Sequence, residues 1–516
     1  MNDRPNDIEH AAEGTCKWLP EHGTYKHWAA CPRGLLWIKG KPGSGKSTLL
    51  RYALSKVAAI PNFQEGALVL SFFFHGRGAE LQRTPLGFFR SLLHQLLPQV
   101  PDALPDLVET FRRRLKEIGK PKEGWEWHQN ELWDFFESSL PVILQTRPLW
   151  LFVDALDESG DEHARDLVWR MKSLLRRLPP TRLPFRICFS CRHYPILDED
   201  CQFISPEEEN GDDISTYVRA RLSASKRLRA SAIPELITGN ANGVFMWARL
   251  VVDQALRLDS DGVGLAKIEH KVNSIPKELH DLYCGLVQDM HGTLASRKLI
   301  LWVCFATRPL SLDELRWAVA VDADCPHQSL HECELAEDLA PDNDTMEARV
   351  TALSRGLVET VSSFGTHRVA QFIHQSVQDF FFNLTDLALL TNNPKSAEPK
   401  VSPIDLIGTA HCQLFRTCTH YLAMAEIGQW QTSKSDRRAL TSRFPLLHYA
   451  TTSWISHASK SEERGIFQDD LGCWPSEALM QLWGQIYPFV QPSMYLPAAL
   501  RGSGKTKLIH VASRYQ

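Results

Sequence analysis

The segment GLLWIKGKPGSGKSTLLRYAL, residues 34–54, joins an apolar run, a glycine-rich turn and an amphipathic run. The turn fits G-x-x-x-x-G-K-[ST] at Gly40, Gly45, Lys46 and Ser47. Such a turn can hold phosphate. Its glycines let successive backbone N–H groups curl around the β- and γ-phosphates of a nucleotide. Lys46 adds a point positive charge, and the Ser47 hydroxyl can ligate Mg²⁺. The candidate nucleotide contacts are therefore Gly40, Lys41, Pro42, Gly43, Ser44, Gly45, Lys46, Ser47 and Thr48. The motif has this meaning only between a strand and a helix whose N-terminus faces the anion. Leu35, Leu36, Trp37 and Ile38 read as a buried strand, and Leu49, Leu50, Ala53, Leu54 and Val57 share one helical face. A second GSGKT lies in RGSGKTK, residues 501–507, but Ala499 stands where the first glycine belongs. That stretch reads as a polar turn.

A phosphate loop needs an acidic strand to hold the metal, and LWLFVDALDES, residues 149–159, provides one. Its apolar run ends in Asp154, which falls at the carboxyl edge of a sheet, where open α/β sheets bind ligands. Asp154 with Ser47 is the expected Mg²⁺ pair. Asp157 and Glu158 follow and are candidates to orient an attacking water, although acids also favour helix starts. The next strand, FRICFS, ends in Cys191 and Arg192. A cation at that tip can reach a γ-phosphate and sense it. Arg176, Arg177, Arg182 and Arg186 lie nearby in sequence, so an ordinary surface arginine is the competing reading.

These residues must be positioned by alternating strands and helices. Apolar runs at 35–38, 67–74, 149–153 and 185–190 alternate with helical patterns at 47–57, 85–97 and 162–178. That order predicts an α/β core, a parallel sheet with helices on both faces. Along 516 residues we expect a disordered tail at 1–14, the P-loop NTPase core at 15–200 and a helical domain at 201–290. A winged-helix domain follows at 291–385, where helices precede a short hairpin and a further helix. A Pro/Asn/Ser linker spans 386–403, and a helical region at 404–516 ends in an ankyrin-like fragment.

Bulk properties exclude some functions. Net charge is -4, with 43% hydrophobic and 23% charged residues, so nothing draws the whole chain to nucleic acid or an anionic membrane. No apolar run is long enough to cross a bilayer, and the polar start MNDRPNDIEHAAEG lacks a signal peptide's apolar stretch. Twelve dispersed cysteines without a secretory signal predict reduced thiols and a cytoplasmic protein. Cys188 and Cys191 have C-x-x-C spacing but read as buried structural thiols. Cys325, His327, His331 and Cys333 could close on zinc but are too compact, and we read them as part of an acidic loop. The acidic stretch DEDCQFISPEEENGDD, residues 198–213, reads as a solvated boundary. RLPPTRLPFR and RARLSASKRLR read as solvated basic faces.

The chain resembles a NACHT-type STAND NTPase of the kind abundant in filamentous fungi. The matching pieces are TCKWLPEHGTYKHW, GLLWIKGKPGSGKSTL, LFVDALDE, FSCRHYP, GVFMWARLV, IPKELHDLY and FIHQSVQDFF, within residues 15–385. FPLLHYATTSWISHA resembles the segment that often precedes ankyrin repeats in such proteins. The resemblance implies a signalling switch that rests with ADP, exchanges it for ATP on sensing an unknown protein ligand, and then self-associates. It implies slow hydrolysis and Mg²⁺ as cofactor. Ala155 and Asp157 match the small residue and extra acid this family places after the metal-binding Asp. His374, within Phe372, His374, Gln378 and Phe380, matches the winged-helix histidine that reaches the β-phosphate of ADP. One departure is Gly243-Val244-Phe245, where related proteins carry Gly-x-Pro against the adenine. The alternatives are a kinase or conventional ATPase whose turnover is the output, and a scaffold that binds nucleotide only to fold.

Overall fold

The computed structural model describes residues 8–490, apart from 9, 61–62, 77, 122–124, 180–182, 194–201, 289, 291–293, 322–324, 336–338, 364–366, 383–402, 430–441 and 467–474. The expected linker, the second GSGKT and the ankyrin-like fragment lie wholly or mostly outside the described residues. The chain divides into two compact units, residues 1–279 and 280–516.

The first unit is built on a five-stranded sheet in the order β2-β3-β4-β1-β5. The strands are β1 (Arg33–Lys39), β2 (Leu68–Phe73), β3 (Leu149–Asp154), β4 (Phe185–Cys191) and β5 (Phe203–Ile204). Every pairing is parallel. The sheet is buried on both faces, which is why its strands read as continuous apolar runs. Successive side chains still alternate. Leu149, Leu151 and Val153 join one core with α3 (Pro85–Leu96), α4 (Gln129–Thr146) and α5 (Asp161–Arg177). Trp150 and Phe152 join the other with α1 (Gly23–Ala30) and α2 (Lys46–Ser55). Ile8 and His10 lie within the expected tail, yet the backbone oxygen of Ile8 and the ring of His10 both contact Arg51 on α2.

Beyond β5 the unit is helical, with α6 (Gly211–Leu222), α7 (Ile233–Asn240) and α8 (Phe245–Ser260). Trp247 is fully buried at the start of α8 and donates its indole N–H to the Pro276 carbonyl at 2.7 Å. The start of the acidic stretch lies outside the described residues, but its end is not the solvated loop the charge run suggested. Asp213 is 7% exposed and accepts from the Cys16 N–H at 2.8 Å and the Trp18 indole at 2.9 Å. Long-range donors, invisible in local sequence, draw that carboxylate inside.

The second unit holds α9 (Leu294–Phe305), α10 (Leu312–Ala320), α11 (Asn343–Leu353), the antiparallel hairpin β6 (Val358–Ser363) and β7 (His367–Phe372), and α12 (Gln375–Phe382). Three helices, a hairpin and a closing helix make a winged helix. Ser311 and Glu314 form a reciprocal capping box that starts α10. After it come α13 (Pro403–Leu422), α14 (Leu447–Glu462) and α15 (Glu477–Val490), with α13 packed on α14 and α14 on α15.

Candidate nucleotide-binding site

The loop between β1 and α2 has the form that anion binding requires. Gly43 and Gly45 take left-handed backbone at φ 77° and 91°, and helical geometry begins at Lys46. A side chain at Gly43 is also excluded by space, since a Cβ there would lie 2.6 Å from the Cβ of Met246. Lys46 folds over the loop, its Nζ donating to the carbonyls of Gly40 at 2.9 Å and Lys41 at 2.8 Å. Burial lowers the Lys46 ammonium from its ordinary range. Asp157 and Glu207 pull it back up, and Arg192 pushes it further down.

The acidic strand ends on the same edge of the sheet. Asp154, fully buried, closes β3 opposite Phe73 and accepts from the Ser190 hydroxyl. Ser190 also receives the Ala155 N–H at 2.8 Å. It therefore sets the carboxylate and the turn after it, a role no sequence motif announced. Ala155 turns the chain with φ 51°, which a small side chain tolerates best. Asp157 meets Arg192 at the tip of β4. The Arg192 Nε lies 3.1 Å from Oδ2, and its backbone N–H donates to Oδ1 at 3.3 Å. Burial nevertheless raises the Asp157 carboxyl above its ordinary range, with Arg192 opposing and Glu158 adding to the rise. Glu158 accepts the Gly76 N–H at 2.7 Å, which ties it to the loop after β2.

Two further residues crowd the loop, neither of them singled out by sequence. Glu207 accepts from the Lys41 N–H at 3.1 Å and bonds His193 Nε2 at 2.6 Å. Its carboxyl is lowered on balance: burial pushes it up, but the hydrogen bond with His193 and the backbone donors outweigh this. Asn210 bonds Ser44 and Gly243. The Gly243-Val244-Phe245 stretch lies against the loop as well. The Met246 N–H donates to the Gly43 carbonyl at 3.1 Å, and a Cβ on Gly45 would meet the half-buried Phe245 ring at 3.4 Å. Tyr217 meets that ring edge-on, centroids 6.0 Å apart. All these positions are scattered in sequence and meet only through the fold.

The residues fit a nucleotide with Mg²⁺. The loop supplies glycines where side chains would not fit, a helix N-terminus and a lysine. Ser47 and Asp154 are hard oxygen donors of the kind Mg²⁺ takes. His374 belongs to the second unit, where its Nδ1 takes the Ser376 N–H at 3.0 Å and bonds the Ser376 hydroxyl at 2.8 Å at the start of α12. Cys188 and Cys191 are buried strand residues, and burial raises the Cys188 thiol. The thiols of Cys325 and Cys333 are hydrogen-bonded, but no group of three metal-ligating side chains forms among the described residues. Nor, among those residues, is any helix long and apolar enough to cross a membrane.

A parallel sheet with this loop after β1 and these acids after β3 defines a P-loop nucleotide-binding core. Residues 14–192 match the family model described as Nephrocystin 3, N-terminal, and residues 285–389 match that of GPI inositol-deacylase, winged helix domain. The chain is 28% identical over 402 residues to vegetative incompatibility protein HET-E-1 of Podospora anserina, covering 72% of this chain and 26% of that protein. It thus spans about a quarter of that relative's length. Together these matches support a fungal NACHT-type NTPase. Among solved structures, a chain from the structure of Drosophila ORC bound to DNA aligns with TM-score 0.33 and 11% identity over 69% of this chain and 83% of that chain.

Proposed function

We propose that the protein is a nucleotide-operated switch. It binds ATP or ADP with Mg²⁺ and uses slow hydrolysis to time a conformational change and self-assembly. The observation that carries this reading is the state of the acids beside the loop: Asp157 is held by Arg192, and Glu158 by the Gly76 N–H. Neither carboxylate is poised solely for a water, so turnover is slow and the bound nucleotide persists. The loop N–H groups and Lys46 hold the phosphates. Ser47 and Asp154 hold the metal, with Ser190 fixing the carboxylate. Mg²⁺, when bound, neutralises charge on the phosphate oxygens. Asp157, freed from Arg192, would orient the water and take its proton, while Arg192 turns to the γ-phosphate. The Phe245 ring beside Gly45 offers the base an apolar surface where the related proteins have proline.

The reading is tested by the nucleotide that copurifies, identified by mass spectrometry, and by calorimetry. Wild type should carry ADP or ATP and bind both in Mg²⁺ buffer. Lys46→Ala should lose most of that affinity, because it removes the cation inside the loop. Unchanged binding by the variant would overturn the assignment.

A further inference from the structure

A phosphate held in a P-loop is taken by its backbone N–H groups. Two of this loop's carbonyls, those of Gly43 and Ser44, are held by the helical part of the same unit. The Gly43 carbonyl accepts from the Met246 N–H. The Ser44 carbonyl accepts from Asn210 Nδ2 at 3.0 Å, and the same amide nitrogen reaches the Gly243 carbonyl at 2.9 Å. Two carbonyl partners fix which end of the Asn210 amide is nitrogen. The residue is 2% exposed, and its Oδ1 has no hydrogen-bond partner among the described residues. Leaving a buried acceptor unpaired is costly, so the position is held for its donor. Gly243 is locked beside it at φ 76°, where a Cβ would lie 2.3 Å from the Glu207 carbonyl oxygen.

Peptide planes are rigid. The Ser44 carbonyl and the Gly45 N–H belong to one plane, so a phosphate that takes that N–H also sets the direction in which the carbonyl points. Asn210 bonds that carbonyl and passes its direction to Gly243, the entry to α8. The Gly40–Lys41 plane behaves alike: Lys46 bonds its carbonyl and Glu207 its N–H. When Lys46 moves to a phosphate, that plane is released on one side only.

We propose that Asn210 is the positioning residue that transmits phosphate occupancy of the loop to the helical region through Gly243 and α8. This rests on the nucleotide-binding reading above. It is tested by hydrogen–deuterium exchange on the full chain with and without ADP and Mg²⁺, alongside calorimetry. In wild type, ADP should slow exchange both in residues 40–49 and in residues 243–250. Asn210→Ala should bind ADP within about tenfold of wild type, since only one of its two lost neutral hydrogen bonds is to the loop, and should slow exchange in 40–49 only. Asn210→Leu, which fills the same space without a donor, should behave like the alanine variant and covers the case in which alanine does not fold. Full slowing at 243–250 in the leucine variant would make Asn210 a packing residue and overturn the proposal. Wild type that binds ADP without slowing at 243–250 would overturn it alone. Absence of ADP binding in wild type would overturn the nucleotide reading and this inference with it.

Discussion

Asp157 carries two opposed influences, a buried site that favours its neutral form and an arginine that favours its charge. A carboxyl with a raised value is protonated over part of the acidic range and serves as a base only above it. ATP hydrolysis by wild type should therefore rise as pH climbs through the range just above the ordinary carboxylate value. Asp157→Asn with Glu158→Gln should keep ATP bound and stop its conversion to ADP, read by single-turnover chromatography. A double variant as fast as wild type would remove both residues from the catalytic assignment. Lys46, Ser47 and Asp154 were legible in sequence because each belongs to a contiguous motif with a physical logic. Ser190, Glu207 and Asn210 were not. Each acts on a partner more than 30 positions away, and only the strand order brings them together.

At the scale of elements, the sheet was legible because burial on both faces leaves runs of apolar residues, and β3 and β4 are such runs. The helices after residue 400 were legible as helices but not in what joins them. His411 on α13 and His457 on α14 face one another, Nδ1 to Nδ1 at 2.9 Å. Tyr449 lies 2.9 Å from the other nitrogen of His457 and accepts the Thr307 N–H at 2.9 Å. The row is satisfied when Tyr449 donates to His457, His457 donates to His411, and both rings are neutral. Burial, with Lys460 and Arg464 nearby, pushes His411 down to about 3, and burial takes His457 well below its ordinary value. The unfolded chain takes protons near pH 6.5 while the folded pair refuses them, so the unfolded state binds more protons between those limits. Stability of the second unit should thus be lost as pH falls below about 6.5, by up to about 1.4 kcal/mol per pH unit for each histidine. Melting temperatures at pH 7 and pH 5 measure this. The slope should flatten in His411→Leu with His457→Leu, and an equal slope in that variant would place the acid sensitivity elsewhere.

The whole molecule joins a P-loop core with its helical region to a winged-helix unit followed by further helices, as the order of sequence patterns predicted. Ligand and effector were not legible, since no residue pattern encodes a partner's shape. For a switch that self-assembles, ATP with Mg²⁺ should raise the mass measured by light scattering, while ADP should not. Lys46→Ala should remain at the starting mass with either nucleotide. A mass that ignores nucleotide would favour a scaffold.

The strand order has a consequence for how the chain is made. The neighbours of β1 in the sheet are β4 and β5, and its register sets Arg33 opposite Phe185. The first of the sheet's own strands to leave the ribosome therefore has no neighbour in the sheet until its last strands emerge. At about 5–20 residues per second, that wait is on the order of ten seconds. Throughout it the run Leu35, Leu36, Trp37 and Ile38 is exposed in a nascent chain with nothing to pair against. Slowed translation between codons 40 and 185 should lengthen that exposure and increase the cell's reliance on chaperones that cover apolar segments. The phosphate loop, attached to that strand, would be among the last parts of the core to take shape.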